Sequence, residues 1–106
     1  MTIEEFQATA TNLPVSLRNN LDRINLPVTG LQQEAGQVGA LLADASTSGR
    51  FRLTPEQHSK LRDKLGDILW YIALLCSETG IPMQEVAAHS VAQLEERFKR
   101  LDAHHR

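Results

Sequence analysis

The chain has 106 residues, a formal net charge of −2 and a single cysteine, Cys76. That length suits one domain, residues 1–106, with a modest core. The charge gives no electrostatic case for nucleic acid or an anionic membrane, and one cysteine excludes an intrachain disulfide framework. The opening Met-Thr-Ile-Glu-Glu-Phe lacks the basic segment and apolar run of a signal peptide, so the chain reads as a soluble cytoplasmic protein.

Strand signals are sparse: aromatics are few, period-2 alternation is not sustained, and long stretches are rich in Leu, Ala, Glu, Gln and Arg. The pattern predicts an all-α fold, a compact bundle of four to five helices. The first helix starts near Thr2, an N-cap with Glu5 at the capping-box position, and fades around Asn12-Leu13-Pro14. A short helical segment from Val15 to Ile24 follows, with Leu17, Leu21 and Ile24 on one face. Pro27 and Gly30 then introduce a helix from about Val28 to Ala45. Leu31, Ala35, Val38 and Leu42 mark its core face, and Glu34 flanks that face.

Ser46 to Arg52 reads as a polar loop. Thr54-Pro55-Glu56-Gln57 is a strong helix start, with an N-cap threonine, proline at the first position and Gln57 completing a capping box. That helix ends at Gly80, a natural left-handed residue. It is charged at its start and apolar without a break from Ile68 to Cys76. A run this short cannot span a membrane, which takes about 20 apolar residues, so it reads as a helix buried on most of its circumference. Asp63 and Asp67 stand one turn apart at the entrance to this run, where an acid is costly without a partner. Pro82 restarts the chain. Ala87, Val91, Leu94, Phe98 and Leu101 then run 4-3-4-3, the seam of an antiparallel bundle or an oligomer. Residues 101–106 read as a disordered tail. One chain cannot cover the apolar surface of Ile68 to Cys76, so at least a homodimer is expected.

Three segments carry a family resemblance: Gly30-Leu31-Gln32-Gln33-Glu34-Ala35-Gly36-Gln37-Val38; Lys64-Leu65-Gly66-Asp67-Ile68-Leu69-Trp70-Tyr71-Ile72; and Ala88 to Leu94 with Arg97-Phe98. In order and spacing they resemble the MazG-like proteins of the all-α nucleoside triphosphate pyrophosphatases. The resemblance implies a small helical protein forming a tight homodimer or a dimer of dimers. It also implies Mg²⁺- or Mn²⁺-dependent hydrolysis of a nucleoside triphosphate to the monophosphate and pyrophosphate. Its pattern is Glu-Glu-x-x-Glu on one helix and Glu-x-x-Asp on the next, carboxylates that hold a hard cation between facing helices. Glu34 and Asp67 retain that pattern. Gln33, Gln37 and Lys64 depart from it, and Ser90 and Gln93 stand where the family has a substrate-contacting Asn and Lys. Arg97 is a further substrate-side position that the resemblance singles out.

Three functions remain open on these residues. In the first, the metal site works in eroded form, with Glu34, Asp67 and Asp63 as ligands and amide oxygens from Gln33 or Gln37. In the second, Lys64 pairs with the acids or meets a nucleotide phosphate, giving a nucleotide-binding protein without catalysis and without metal. In the third, the fold persists as an oligomeric helical scaffold. Trp70 and Tyr71 could stack on a base, but their apolar run favours packing. His58, His89, His104 and His105 show no zinc-ligand spacing, and Arg50 and Arg52 read as solvated loop arginines. Cys76 reads as a buried reduced thiol.

Overall fold

A computed structural model describes residues 1–13, 21–46 and 52–104. Within these residues the backbone is all-α, with no strand: α1 (Ile3–Asn12), α2 (Asp22–Ser46), α3 (Pro55–Thr79) and α4 (Met83–His104). No described helix is long and apolar enough to cross a membrane.

Local chemistry sets several helix ends. Thr2 Oγ1 accepts from the Glu5 N–H at 3.0 Å, and the Thr2 N–H donates to Glu5 Oε1 at 3.1 Å. Thr54 and Gln57 repeat this reciprocal pair at 2.9 and 3.1 Å ahead of Pro55. Each box satisfies amide groups that the first helical turn leaves without intrahelical partners. At the far end of α3, Gly80 adopts φ 72°, ψ 24°. The Ile81 N–H then reaches Cys76 O at 2.8 Å, and the Gly80 N–H reaches Ser77 O at 3.3 Å. This is a Schellman turn, which a side chain at position 80 would strain.

α2 departs from the sequence expectation. It begins at Asp22, six residues before Val28, and runs through Pro27. A proline inside a helix forfeits one backbone hydrogen bond and crowds the preceding turn. Pro27 is nevertheless almost fully buried, so packing against α3 offsets that cost. The expected segment from Val15 to Ile24 lies mostly outside the described residues, as does most of the expected loop from Ser46 to Arg52. α4 continues through residues 101–104, the first part of the expected tail; residues 105–106 are outside the described set.

The central packing unit is the antiparallel α2–α3 pair. Arg23 pairs with Glu78 at 3.9 Å, Gly30 sits under the Tyr71 ring, and Gln37 accepts a hydrogen bond from Lys64. These contacts recur every seven residues on both helices, in opposite directions, as a supercoiled seam requires. The covered stripe of α2 comprises Pro27, Gly30, Glu34, Val38, Leu41 and Ala45, each buried or half-buried. Leu31 and Leu42 are half-buried at its edge, whereas Ala35, expected on the core face, is exposed. Among the described residues α2 packs against α3 alone, so only a narrow stripe is covered.

α1 lies across the C-terminal half of α3. Ala10, Ala73, Cys76 and Met83 form a small buried cluster, flanked by Phe6, Trp70 and Ile72. Gln7 ties three elements together. Its Oε1 accepts from the Met83 N–H at 2.8 Å, capping α4, while its Nε2 donates to Ser77 Oγ and Ile81 O, each at 3.2 Å. Beyond Met83, α4 leaves the body of the chain. Val91, Leu94, Phe98 and Leu101 are 45–65% exposed, so the predicted 4-3-4-3 seam has no partner among the described residues. Even in the apolar run of α3 only Ala73 and Cys76 are buried, and Leu69 is 46% exposed. The radius of gyration is 17.4 Å, against about 13 Å for a compact domain of this length.

A Cβ added at Gly30 would lie 2.3 Å from Tyr71 Cζ and 2.6–2.7 Å from the Cε atoms. Gly30→Ala is therefore expected to lower stability by about 1–3 kcal/mol. An added Cβ at Gly36 meets nothing among the described residues, and Gly36→Ala should gain up to about 1 kcal/mol through helix propensity. Urea titrations followed by circular dichroism test the pair; equal effects at both positions would refute the close approach of Tyr71.

Candidate functional site

The seam that joins α2 to α3 also decides which charged residues meet. On α3, Gln57, Leu61, Lys64, Ile68, Tyr71 and Leu75 follow 4-3-4-3-4 spacing and are all half-buried. Lys64 occupies one step of this stripe and so points at α2. On α2, Glu34 occupies a step of the opposing stripe. The Lys64 Nζ lies 3.7 Å from Glu34 Oε2, with the two side chains 26% and 18% exposed. It also donates a hydrogen bond to Gln37 Oε1. The seven-residue register sets Glu34 level with Asp67, three residues before Gln37 on one helix and three after Lys64 on the other.

Glu34 Oε2 is buried and has no hydrogen bond, since 3.7 Å is an ion-pair distance and too long for one. Its neutralisation is Coulombic. At this separation the attraction is about 4 kcal/mol for an effective dielectric near 20, before desolvation is counted.

The other sequence candidates lie elsewhere on the surface. Asp63 and Asp67 are exposed and share a flank of α3 with the half-buried Trp70, again at 4-3 spacing. Gln33 is exposed on α2. Ser90, Gln93 and Arg97 are exposed on α4, which makes no contact with α2 among the described residues. They therefore do not join Glu34 within one chain. His89, Gln93 and Arg97 instead share a shallow depression with Ala92, Glu96 and Arg100. Trp70 packs against the α1 cluster, its ring centroid 5.2 Å from that of Tyr71, and its buried Nε1 has no acceptor among the described residues. Cys76 is a buried free thiol. His58 and Arg52 are exposed, while Arg50 and His105 lie outside the described residues.

These donors do not suit the divalent ion that the family resemblance implies. Mg²⁺ demands near-octahedral oxygen coordination. Among the described residues no three His, Cys, Asp or Glu side chains gather in a group able to hold a metal. At the α2–α3 seam one carboxylate and one amide oxygen are already engaged by an ammonium. A divalent ion about 5 Å from that ammonium would be repelled by roughly 7 kcal/mol at an effective dielectric of 20. The inward orientation of Lys64 has a signal in the residue order, because Leu61, Ile68, Tyr71 and Leu75 leave a gap in their spacing that only position 64 fills. Apolar periodicity alone passes over it, since a lysine does not count as a core residue. The Gln7 clamp is not foreseen from the sequence and has no local signal there, because its partners are about 70 residues away.

The ion pair is open to direct measurement. Lys64→Met should cost about 1–3 kcal/mol, since it leaves the Glu34 carboxylate partly buried without a cation. A double-mutant cycle with Glu34→Gln should return a coupling of about 1 kcal/mol. A coupling of zero by denaturant titration would show that the pair does not form in solution.

Residues 28–101 match the family model described as the MazG nucleotide pyrophosphohydrolase domain. No curated protein and no solved structure matches the chain significantly. The matched region covers most of α2, all of α3 and α4 up to Leu101, and so contains both helices of the seam. With the all-α architecture and that coverage, the chain belongs to the MazG nucleotide pyrophosphohydrolase family.

Proposed function

We propose that this protein recognises a nucleoside triphosphate or a related nucleotide through its phosphates, working as a homo-oligomer. The α2–α3 groove is the binding site, and pyrophosphohydrolysis is reduced to a weak or altered activity. One observation carries the reading. Within a matched MazG domain, the two retained acids, Glu34 and Asp67, stand level across the α2–α3 pair, with the Lys64 ammonium beside Glu34. The family resemblance implies a divalent metal, and the groove of this chain does not suit one. Binding is then the activity this geometry favours over rapid turnover.

Oligomerisation is supported by the exposed seam of α4, by Leu65 and Leu69 at 46% exposure each, and by the extended shape of the chain. An apolar surface on this scale marks an interface. Light scattering behind a sizing column should give about 23.6 kDa or a multiple of it, twice the 11.8 kDa chain mass. A monodisperse 11.8 kDa species at micromolar concentration would contradict this.

A second reading keeps catalysis. Glu34 Oε2 makes no hydrogen bond, its Lys64 partner standing off at 3.7 Å, so its lone pairs remain available to the proton of a water that reaches the groove, and Asp67 is retained. A panel of ribo- and deoxynucleoside triphosphates separates the readings. Stoichiometric binding by titration calorimetry, with pyrophosphate release at least ~100-fold below ordinary enzyme turnover of roughly 10 s⁻¹, supports the binding reading. Faster release, abolished by Glu34→Ala or Asp67→Ala with the fold intact, supports the hydrolase. Absence of both binding and release would reject the two readings together and leave a scaffold.

A further inference from the structure

We propose that the α2–α3 groove carries its own cation: the Lys64 ammonium takes the place of the divalent ion and meets nucleotide phosphates without metal. This rests on the nucleotide reading for its ligand and on side-chain geometry for its metal independence.

The position of Lys64 is imposed by packing. Leu61, Ile68, Tyr71 and Leu75 share its stripe and are half-buried. The Tyr71 ring is seated over Gly30 one heptad away. Turning Lys64 out by rotating α3 would lift this whole row off α2. Packing thus holds the ammonium at the seam, where it contacts Glu34 and Gln37.

Charge points the same way. Gln37 and Lys64 stand where the family pattern has two glutamates. At these two positions the groove is three charges more positive than the pattern the resemblance implies, with no ion added, and the exposed Gln33 adds a fourth outside the seam. The gain at the seam alone exceeds the two charges a divalent ion would bring.

The ammonium also has capacity for a ligand. It has three N–H donors. One goes to Gln37 Oε1, and Glu34 Oε2 lies at 3.7 Å, beyond hydrogen-bond distance. Among the described residues nothing else accepts from it. At 26% side-chain exposure a phosphate oxygen can reach it from solvent. Asp67, exposed and level with Glu34, disfavours a bare anion on that side and favours one approaching along the Lys64 edge.

Two probes test this on the full chain. The first is Mn²⁺ alone, followed by electron paramagnetic resonance of the free ion. The wild type is expected to show no site tighter than millimolar, and Gln37→Glu/Lys64→Glu to bind at least tenfold more tightly. Micromolar Mn²⁺ binding by the wild type, lost in Glu34→Gln, would overturn the proposal. Should the double variant fail to fold by circular dichroism, Lys64→Gln alone serves, with a smaller gain of about threefold expected. No gain in a folded Lys64→Gln would count against Lys64 as the excluding group.

The second probe is inorganic tripolyphosphate by titration calorimetry, in chelator and in Mg²⁺. Affinity in chelator should be at least equal to that in Mg²⁺, and Lys64→Gln should weaken it tenfold or more. Binding that requires Mg²⁺ would overturn the proposal. Absence of tripolyphosphate binding under both conditions would reject the phosphate role of Lys64 and, with it, the nucleotide reading. The Mn²⁺ result would still decide metal exclusion by itself.

Discussion

The heptad-spaced seam between α2 and α3 is the constraint on which the rest of the molecule depends. At one of its steps the Tyr71 ring lies over the backbone of Gly30, an approach open only to a residue without a Cβ. With Arg23 beside Glu78 and Gln37 beside Lys64, that contact settles both the antiparallel direction and the register. Register then determines chemistry. Each step of the stripe faces the partner helix, so whatever residue occupies position 64 is presented to α2, and whatever occupies position 34 is presented back. A carboxylate and an ammonium meet there because the surrounding apolar residues pack, and the ion pair follows from that packing.

Outside the seam the chain is thinly covered. α1 supplies a small cluster around Ala10 and Cys76, and Gln7 pins the α3–α4 turn by capping Met83. α4 contributes little burial beyond Met83 and exposes its apolar row. A domain of about 100 residues has limited surface-to-volume advantage even when compact, and this one is drawn out further. In the proposed oligomer, assembly and function are linked physically. Ser90, Gln93 and Arg97 sit on the helix whose apolar row is exposed, away from Glu34 in a single chain. Any part they play at the groove depends on how copies assemble.

Charge at the seam departs from the acidic pattern that the family resemblance implies. A cluster of acids between two helices is stable only with counter-charge, and a bound divalent ion is one source of it. An internal lysine is another, with a different consequence. A metal ion exchanges with solvent and shares its coordination shell with substrate, whereas an ammonium is tethered and offers only hydrogen-bond donors and a single charge. On the proposed reading, the lysine keeps the fold neutralised and supplies no Lewis acid of the kind on which rapid phosphoryl chemistry draws.

Local chemistry was legible in the residue order. The capping boxes at Thr2 and Thr54, the left-handed Gly80 and the all-α pattern are short-range consequences of side chains acting on neighbouring backbone. The family membership was also readable, since Leu65-Gly66-Asp67-Ile68-Leu69-Trp70-Tyr71 is itself a local string. Other features required the tertiary structure. Pro27 lies inside α2 because burial against α3 outweighs a lost hydrogen bond, a balance that no local propensity contains. Ala35 is exposed although its spacing suits a core face, because among the described residues α2 meets one helix and not two. The competition between Lys64 and Asp63 for the space opposite Glu34 was decided by the packing of Leu61, Ile68, Tyr71 and Leu75, and position 64 fell on their line. Sequence alone determined the helical class, the capping boxes at Thr2 and Thr54, the stop at Gly80 and the candidate acids, because those depend on residues within a turn of each other. Which of the charged residues face one another depends on the register between two helices some thirty residues apart, and only the folded chain sets that.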